Sequence, residues 1–286
     1  MLSGRIIKGV GGNYHVMTSE GEFICQARGL FRKEGISPLV GDFVEISVTD
    51  PSKATGYLQK IFPRQNELLR PKAANIDQVV LVCAIVPPIN LDVIDGLLIH
   101  YEQQKIEAIL CINKIDLAAD TQYLEIANAY QMAKYATVCT STATGAGLEV
   151  LRIAMSGRTT IFAGPSGVGK SSILNALYPH FSLDVGVLSE KIQRGKHTTR
   201  HTSLLQVADD TFVVDSPGFT SFSIDHIDKK ELQHYYREFR PYLEKCYYVD
   251  CLHVSEHDCA VKQQVGLDID PGRYERYTKY VIRISN

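Results

Sequence analysis

The chain of 286 residues has no tryptophan, no apolar run long enough to cross a bilayer, and no basic start followed by a long apolar stretch. The missing run excludes a helical membrane span, and the missing start argues against a secretory leader. An excess of either charge is lacking as well: 30 Lys and Arg stand against 32 Asp and Glu, with a pI of about 6.5. That balance excludes a general electrostatic footprint for nucleic acid, so any RNA contact has to come from local patches. The expectation is a cytoplasmic protein with no membrane partner. At 45% hydrophobic and 22% charged, the composition is that of an ordinary globular chain, long enough for two or three small domains. Cysteines are few, and their placement separates them. Cys25, Cys83, Cys111 and Cys139 are scattered, mostly in strand-like apolar runs, and read as buried thiols. Cys246, Cys251 and Cys259 cluster near the end and point to metal before disulfide.

What is present is organised around Gly164-Pro165-Ser166-Gly167-Val168-Gly169-Lys170-Ser171, with Ser172 following. It matches the phosphate-binding pattern G-x-x-x-x-G-K-[ST]. Thr159 to Ala163 before it reads as a buried β-branched strand, and Ser172 to Leu177 after it has helical apolar spacing. Glycines let successive amides turn inward around phosphate, and the helix N-terminus adds partial positive charge. Lys170 would reach the β- and γ-phosphates and the Ser171 hydroxyl would ligate Mg²⁺, so the chain is expected to bind a nucleoside triphosphate.

Residues 1–64 read as five short strands with glycine-marked turns, expected to form a small β-barrel of the OB type. Arg28, Arg32 and Lys33 sit around one of its loops and are candidates for RNA contact, although such barrels also serve protein contacts. Pro63 to Ala74 is polar and reads as a linker. Then Asp77–Val86 and Ala108–Ile112 form apolar runs typical of parallel strands buried on both faces. They alternate with helical patterns over Leu91–Gln104 and Tyr123–Lys134, followed by a strand at Ala136–Cys139. This is the pattern of an α/β sheet, in which ligands sit at the carboxyl ends of the strands.

Asn113-Lys114-Ile115-Asp116 lies at such an end. A carboxylate at Asp116 can accept from guanine N1–H and the exocyclic amine, a donor pair that adenine lacks on that edge. Lys114 can lay its stem along the base, and Asn113 can tie the loop together. Ser141, Thr142 and Ala143 are placed as the second base-side loop, without the lysine that often ends it. Past the phosphate loop, a basic stretch around Phe181–His201 contains Lys191, Arg194, Lys196, His197, Thr198, Thr199 and Arg200. It is placed as a switch segment that senses γ-phosphate, with Thr198 or Thr199 completing the Mg²⁺ shell. Asp215-Ser216-Pro217-Gly218-Phe219 follows a strand at Thr211–Val214: Asp215 would hold Mg²⁺ through water, and the Gly218 amide would meet the γ-phosphate. The guanine loop usually follows these two motifs, whereas here it precedes both, which indicates a circular permutation. A helical stretch is expected over Lys229–Phe239. Finally Cys246, Cys251, His253 and Cys259 have the spacing C-x4-C-x-H-x5-C, which reads as a structural zinc site, with His257 a competing ligand.

The permuted order of N-K-I-D, G-P-S-G-V-G-K-S-S, G-K-H-T-T and D-S-P-G-F, followed by this cysteine–histidine knuckle, resembles the RsgA-type family of circularly permuted GTPases. Lys196 and Ser216 stand where arginine and threonine are frequent in that family. The resemblance implies a multidomain fold: an OB domain over 1–64, a permuted α/β P-loop GTPase domain over 65–222 and a mostly α zinc domain over 223–286. It implies binding of GTP, GDP, the 30S subunit and 16S rRNA by a monomer, and slow GTP hydrolysis stimulated by that subunit late in its maturation. Phe219 stands where many GTPases carry a water-orienting glutamine. The resemblance assigns that task to His197, whose imidazole can accept a proton at neutral pH, and Lys170 is the other candidate catalytic residue. Two rival readings of the residues are a P-loop kinase and a non-catalytic scaffold gated by nucleotide.

Overall fold

A computed structural model describes residues 1–29, 31, 35–180, 202–215 and 226–284. Arg32, Lys33, the 181–201 segment with His197, Thr198 and Thr199, and Ser216 to Gly218 therefore lie outside the described residues. Five strands close the N-terminal barrel: β1 (Leu2–Val10), β2 (Asn13–Thr18), β3 (Gly21–Ala27), β4 (Phe43–Asp50) and β5 (Thr55–Ile61). β1 pairs with both β2 and β4, which leaves the barrel without a free edge. Period-two alternation sends Ile6, Val16, Phe23, Cys25, Val44, Ile46 and Leu58 inward.

The stretch expected as a linker instead contains a hairpin, β6 (Glu67–Leu69) with β7 (Lys72–Ala74). Leu68 and Ala73 are buried in the core of the next unit. Each strand has only three residues, too few for a readable period, so the flanking charges hid them.

The central sheet contains β8 (Gln78–Ala84), β9 (Glu107–Asn113), β10 (Ala136–Cys139), β11 (Thr159–Ala163), β12 (Ser203–Ala208) and β13 (Thr211–Asp215). Their spatial order is β10-β9-β8-β11-β13-β12, parallel except for β12. Val79, Leu81 and Cys83 of β8 join one core, with α1 (Leu91–Gln103) and α2 (Gln122–Met132); Val80, Val82 and Ala84 join the other, with α3 (Leu148–Met155) and α4 (Lys170–Leu177). Burial on both faces explains the near-continuous apolar runs. Strand order reverses between β8 and β11, running outward to β10 on one side and to β13 on the other, and α/β sheets open a ligand crevice at such a switch point. The barrel joins this sheet through β1 and β12, at Lys8 opposite Ser203.

The C-terminal region packs Tyr236, Phe239, Val261, Ile269 and Tyr277 into its own core, with α5 (Ala260–Gln263) and α6 (Pro271–Ile284) as its α-helices. The helix expected over Lys229–Phe239 is corrected to turns around one 3₁₀ segment, Leu232–Tyr235. Tertiary pairing overrides local propensity there. Arg237 bonds Glu102 and Glu107, while its neighbour Glu238 accepts from Arg273.

This region docks on α1 and α2 through a buried ion cluster. Arg273 donates to Asp95 and Glu238 at 2.5 Å each, and Arg276 donates to the other oxygen of Asp95. Tyr130 also donates to Asp95, at 2.7 Å, and its ring lies 4.9 Å from the Arg273 guanidinium. Two arginines against two carboxylates make the cluster neutral, so it is stable only while complete. Asp95→Ala leaves both guanidiniums without it and is expected to cost about 3–5 kcal/mol in urea unfolding. Glu149→Ala breaks an exposed i,i+3 pair with Arg152 and is expected to leave the urea midpoint unchanged.

Candidate nucleotide site and candidate metal centre

β11 ends in the glycine loop, β9 in Asn113, and β10 in the turn containing Ser141, so three strand ends share one edge of the sheet. Gly164 takes φ +129°, and a Cβ there would stand 2.0 Å from the Val82 carbonyl oxygen. The loop therefore leaves β11 against the backbone of β8, an approach only glycine permits. Gly169 takes φ +98°, and its Cβ would meet the Asn113 amide nitrogen at 2.4 Å.

Asn113 is fully buried. Its Nδ2 donates to the Val168 carbonyl at 2.9 Å, and its Oδ1 accepts from Thr140 Oγ1 at 3.1 Å. One side chain thus ties the glycine loop to the ends of β9 and β10. Lys114 donates from Nζ to the carbonyls of Val86 and Gly167, 2.7 Å each, and so bridges the β8–α1 connection to the same loop. Asp116 is exposed and accepts from Ser141 Oγ at 2.5 Å. That hydroxyl in turn accepts from the amides of Ala143 and Thr144 at 3.2 Å. Ser141 is buried, Thr142 half-buried and Ala143 exposed, all in the turn beside Asp116.

Lys170 is 5% exposed, and its ammonium donates to the carbonyls of Gly164 and Pro165 at 2.8 and 2.7 Å. Burial pushes its pKa down to about 8, because neither partner carries a negative charge. An anion seated in the loop would return that charge preference. Ser171 is buried at the start of α4, while Ser172 is half-buried beside it. Asp215 is half-buried and ends β13 in the same sheet. Pro165 is half-buried, while Ser166 and Gly167 are exposed at the tip of the loop, next to buried Val168.

The second site is in the C-terminal region. The ligand atoms of Cys246, Cys251, His253 and Cys259 all lie within 4.8 Å of one another. Cys246 Sγ is 3.9 Å from Cys259 Sγ and 3.5 Å from His253 Nδ1, and His253 Nδ1 is 3.2 Å from Cys259 Sγ. A tetrahedral zinc with Zn–S near 2.3 Å separates its sulfur ligands by about 3.8 Å, so the cluster could hold that ion. His257 is exposed and outside the cluster. Burial lowers the His253 pKa to about 4, which keeps the imidazole neutral. Its Nε2–H donates to Gln233 Oε1 at 2.7 Å, which leaves Nδ1 as the free lone pair, as second-shell bonding of metal-ligating histidines requires.

Sequence reasoning missed Thr140, the Val86 carbonyl and Gln233. Thr140 adjoins a residue that was singled out, but Gln233 lies 20 positions before its partner and had no motif to mark it.

Comparison with known proteins adds the family. The profile described as RsgA GTPase matches residues 61–225, and that described as RsgA N-terminal domain matches 3–58. The small ribosomal subunit biogenesis GTPase RsgA of Alkaliphilus metalliredigens is 41% identical, over 100% of this chain and 98% of that relative. Its counterpart in Geobacillus thermodenitrificans is 43% identical, over 100% and 98%. Among solved structures, YjeQ from Thermotoga maritima superposes with TM-score 0.86 at 33% identity, over 100% of this chain and 99% of that one. YloQ, described as a circularly permuted GTPase, gives 0.83 at 32% identity, over 100% and 96%.

Two glycines of the loop separate steric from conformational demand. Gly169→Ala is expected to displace Asn113 from Val168 and weaken nucleotide binding. Gly167, at φ +79° with nothing within 4 Å of a Cβ, faces only backbone strain. Gly167→Ala should cost about 1–2 kcal/mol in thermal unfolding and leave the Asn113 bridge in place.

Proposed function

The chain belongs to the RsgA GTPase family, hydrolases acting on GTP in small ribosomal subunit biogenesis, and on that premise we propose how its own residues bind and hydrolyse the nucleotide. The observation that carries the reading is the 2.9 Å bond from Asn113 to the Val168 carbonyl. It joins the base-side loop to the phosphate loop although they lie 55 residues apart, in the reverse of the usual order. Guanine is the base: Asp116 is held by Ser141 Oγ through one oxygen and offers its carboxylate to N1–H and the exocyclic amine. Adenine would leave that acceptor unpaired. Lys114 flanks the base, and Ser141, Thr142 and Ala143 form its far wall.

The amides from Gly164 to Ser172 surround the phosphates, and Lys170 exchanges its two carbonyls for β- and γ-oxygens. Ser171 and either Thr198 or Thr199 would hold Mg²⁺, with Asp215 behind a water and the Gly218 amide at the γ-phosphate. The ion supplies charge neutralisation between the phosphates. His197 orients the attacking water. The kinase and scaffold readings give way to hydrolysis, since the family is one of hydrolases acting on GTP.

Cys246, Cys251, His253 and Cys259 hold a structural zinc. All four positions around the ion would be protein ligands, so the metal staples a small core and leaves no place for substrate. The chain divides into a barrel domain over 1–64, a GTPase domain over 65–222 and a zinc domain over 223–286; the profile matches over 3–58 and 61–225 support the first two. Its partners are GTP, GDP and the 30S subunit through 16S rRNA, and it works in the cytoplasm as a monomer.

Phosphate release measured with purified 30S against 50S subunits tests the reading: only the small subunit should accelerate it. His197→Ala should bind GTP normally yet lose about 100-fold of the stimulated turnover, and full turnover would remove that residue from the mechanism. Metal analysis tests the zinc assignment separately. Stoichiometric zinc is expected in the purified chain, and Cys246→Ser should lose it together with several degrees of melting temperature.

A further inference from the structure

Arg5 stands on β1 of the barrel, yet none of its three side-chain hydrogen bonds goes to a barrel strand. Nη1 donates to Thr159 Oγ1 on β11 at 2.8 Å, and Nη2 to the Asn75 carbonyl at 2.9 Å. Nε donates to the Gly41 carbonyl at 3.2 Å. The guanidinium lies between two rings, 4.8 Å from Phe43 of β4 and 5.0 Å from Phe212 of β13. It is 9% exposed, and its hydrogen-bond acceptors are two carbonyls and a hydroxyl, none of them charged. A joint that only had to cohere could be apolar, without the desolvation cost of a buried cation. A planar fork with fixed donor directions does something an apolar contact cannot: it sets the angle between the elements it joins.

Those elements are the roots of both expected switch segments. Phe212 lies three residues before Asp215, on β13, and pairs in register with Thr159, which Arg5 also holds. Ser203, at the start of β12, lies four residues past Thr199 and bridges to Lys8 of β1. The β12–β13 hairpin meets the barrel at β1 through this ladder position, through Ile7 packed on the core that holds Leu204, and through the clamp. Beside the clamp the two bodies are not flush. A cleft of about 500 Å³ opens there, lined by Ser3, Met17, Phe62, Asp210 and Phe212 among others.

We propose that Arg5 is a positioning residue for GTP hydrolysis, which makes the placement of β13 and of Asp215 at its end depend on where the barrel is held. When the barrel docks on the small subunit, the fork transmits its position to β11 and β13, and through β13 to Asp215. The inference rests on the ribosome-stimulated GTPase reading above, and it concerns a residue some distance along the sheet from the nucleotide loop.

The test compares wild type, Arg5→Ala, Arg5→Lys and Phe212→Leu in steady-state GTP hydrolysis, with and without saturating 30S subunits. Melting curves and subunit co-sedimentation are recorded on the same samples. Arg5→Ala is expected to lower the subunit-stimulated kcat about tenfold while KM for GTP and the subunit-free rate stay within about twofold. Phe212→Leu, which keeps the apolar side chain and removes one ring face, should fall in the same direction by less. Arg5→Lys keeps the charge and loses the fork, and should behave like the alanine variant. Should Arg5→Ala fail to fold, the lysine and leucine variants carry the same comparison. Full stimulation in the folded variants overturns the proposal, and so does a parallel fall of basal and stimulated rates. A wild type that 30S subunits do not stimulate overturns the functional reading along with it, whereas a stimulated wild type with equally stimulated variants overturns the clamp alone.

Discussion

The pairing of β8 with β11, from Gln78 opposite Thr160 to Leu81 opposite Ala163, is the contact on which the site depends. It is parallel and buried on both faces, and it brings a strand from the first third of the chain beside one from the middle. The N-K-I-D run begins at the end of β9 and the Ser141 turn follows β10, while the glycine loop follows β11. Without this pair the two halves would be separate α/β fragments with open edges. With it, the order in which the strands are laid down reverses at the centre of the sheet, and a crevice forms where the two loops meet. The Asn113 amide then locks a relation that the backbone ladder has already created.

Two arginine contacts attach the outlying bodies to this sheet, and their chemistry differs. Arg273 and Arg276 meet the carboxylates of Asp95 and Glu238, in a cluster also bonded by Tyr130. Paired charges in low dielectric are costly to separate, so the C-terminal region and α1 move as a unit. Since α1 follows the connection whose Val86 carbonyl receives Lys114, the base-side loop is braced from that direction. Arg5 has neutral acceptors and two rings instead. Those interactions are directional, and among the described residues the only opposite charge that acts on the guanidinium is Asp77, which it does not bond directly.

The cysteine–histidine cluster sits within a small aromatic core. Tyr236, Phe239 and Tyr277 pack with ring centroids about 5 Å apart around the imidazole of His253, and Gln233 fixes which nitrogen faces the sulfurs. Aromatic packing sets the ring plane, while the hydrogen bond sets the tautomer. Neither residue type belongs to the ligand motif, yet both determine whether the ligands can converge.

Much of this was legible in the residues themselves. Glycines at 164 and 169, the N-K-I-D run and the cysteine spacing encode their purpose locally, because backbone approach and ligand chemistry restrict residue type position by position. The parallel strands were legible too, since burial on both faces leaves an unbroken apolar run. The hairpin at Glu67–Ala74 and the irregular chain around Arg237 were not, because three-residue strands have no period and those turns exist to satisfy partners more than 100 residues away. Nor did anything in the string distinguish Arg5, Asp95 or Gln233 from ordinary polar residues of a strand, a helix and a tail. Their significance lies in which groups face them once the chain has closed, and only the tertiary fold supplies those neighbours.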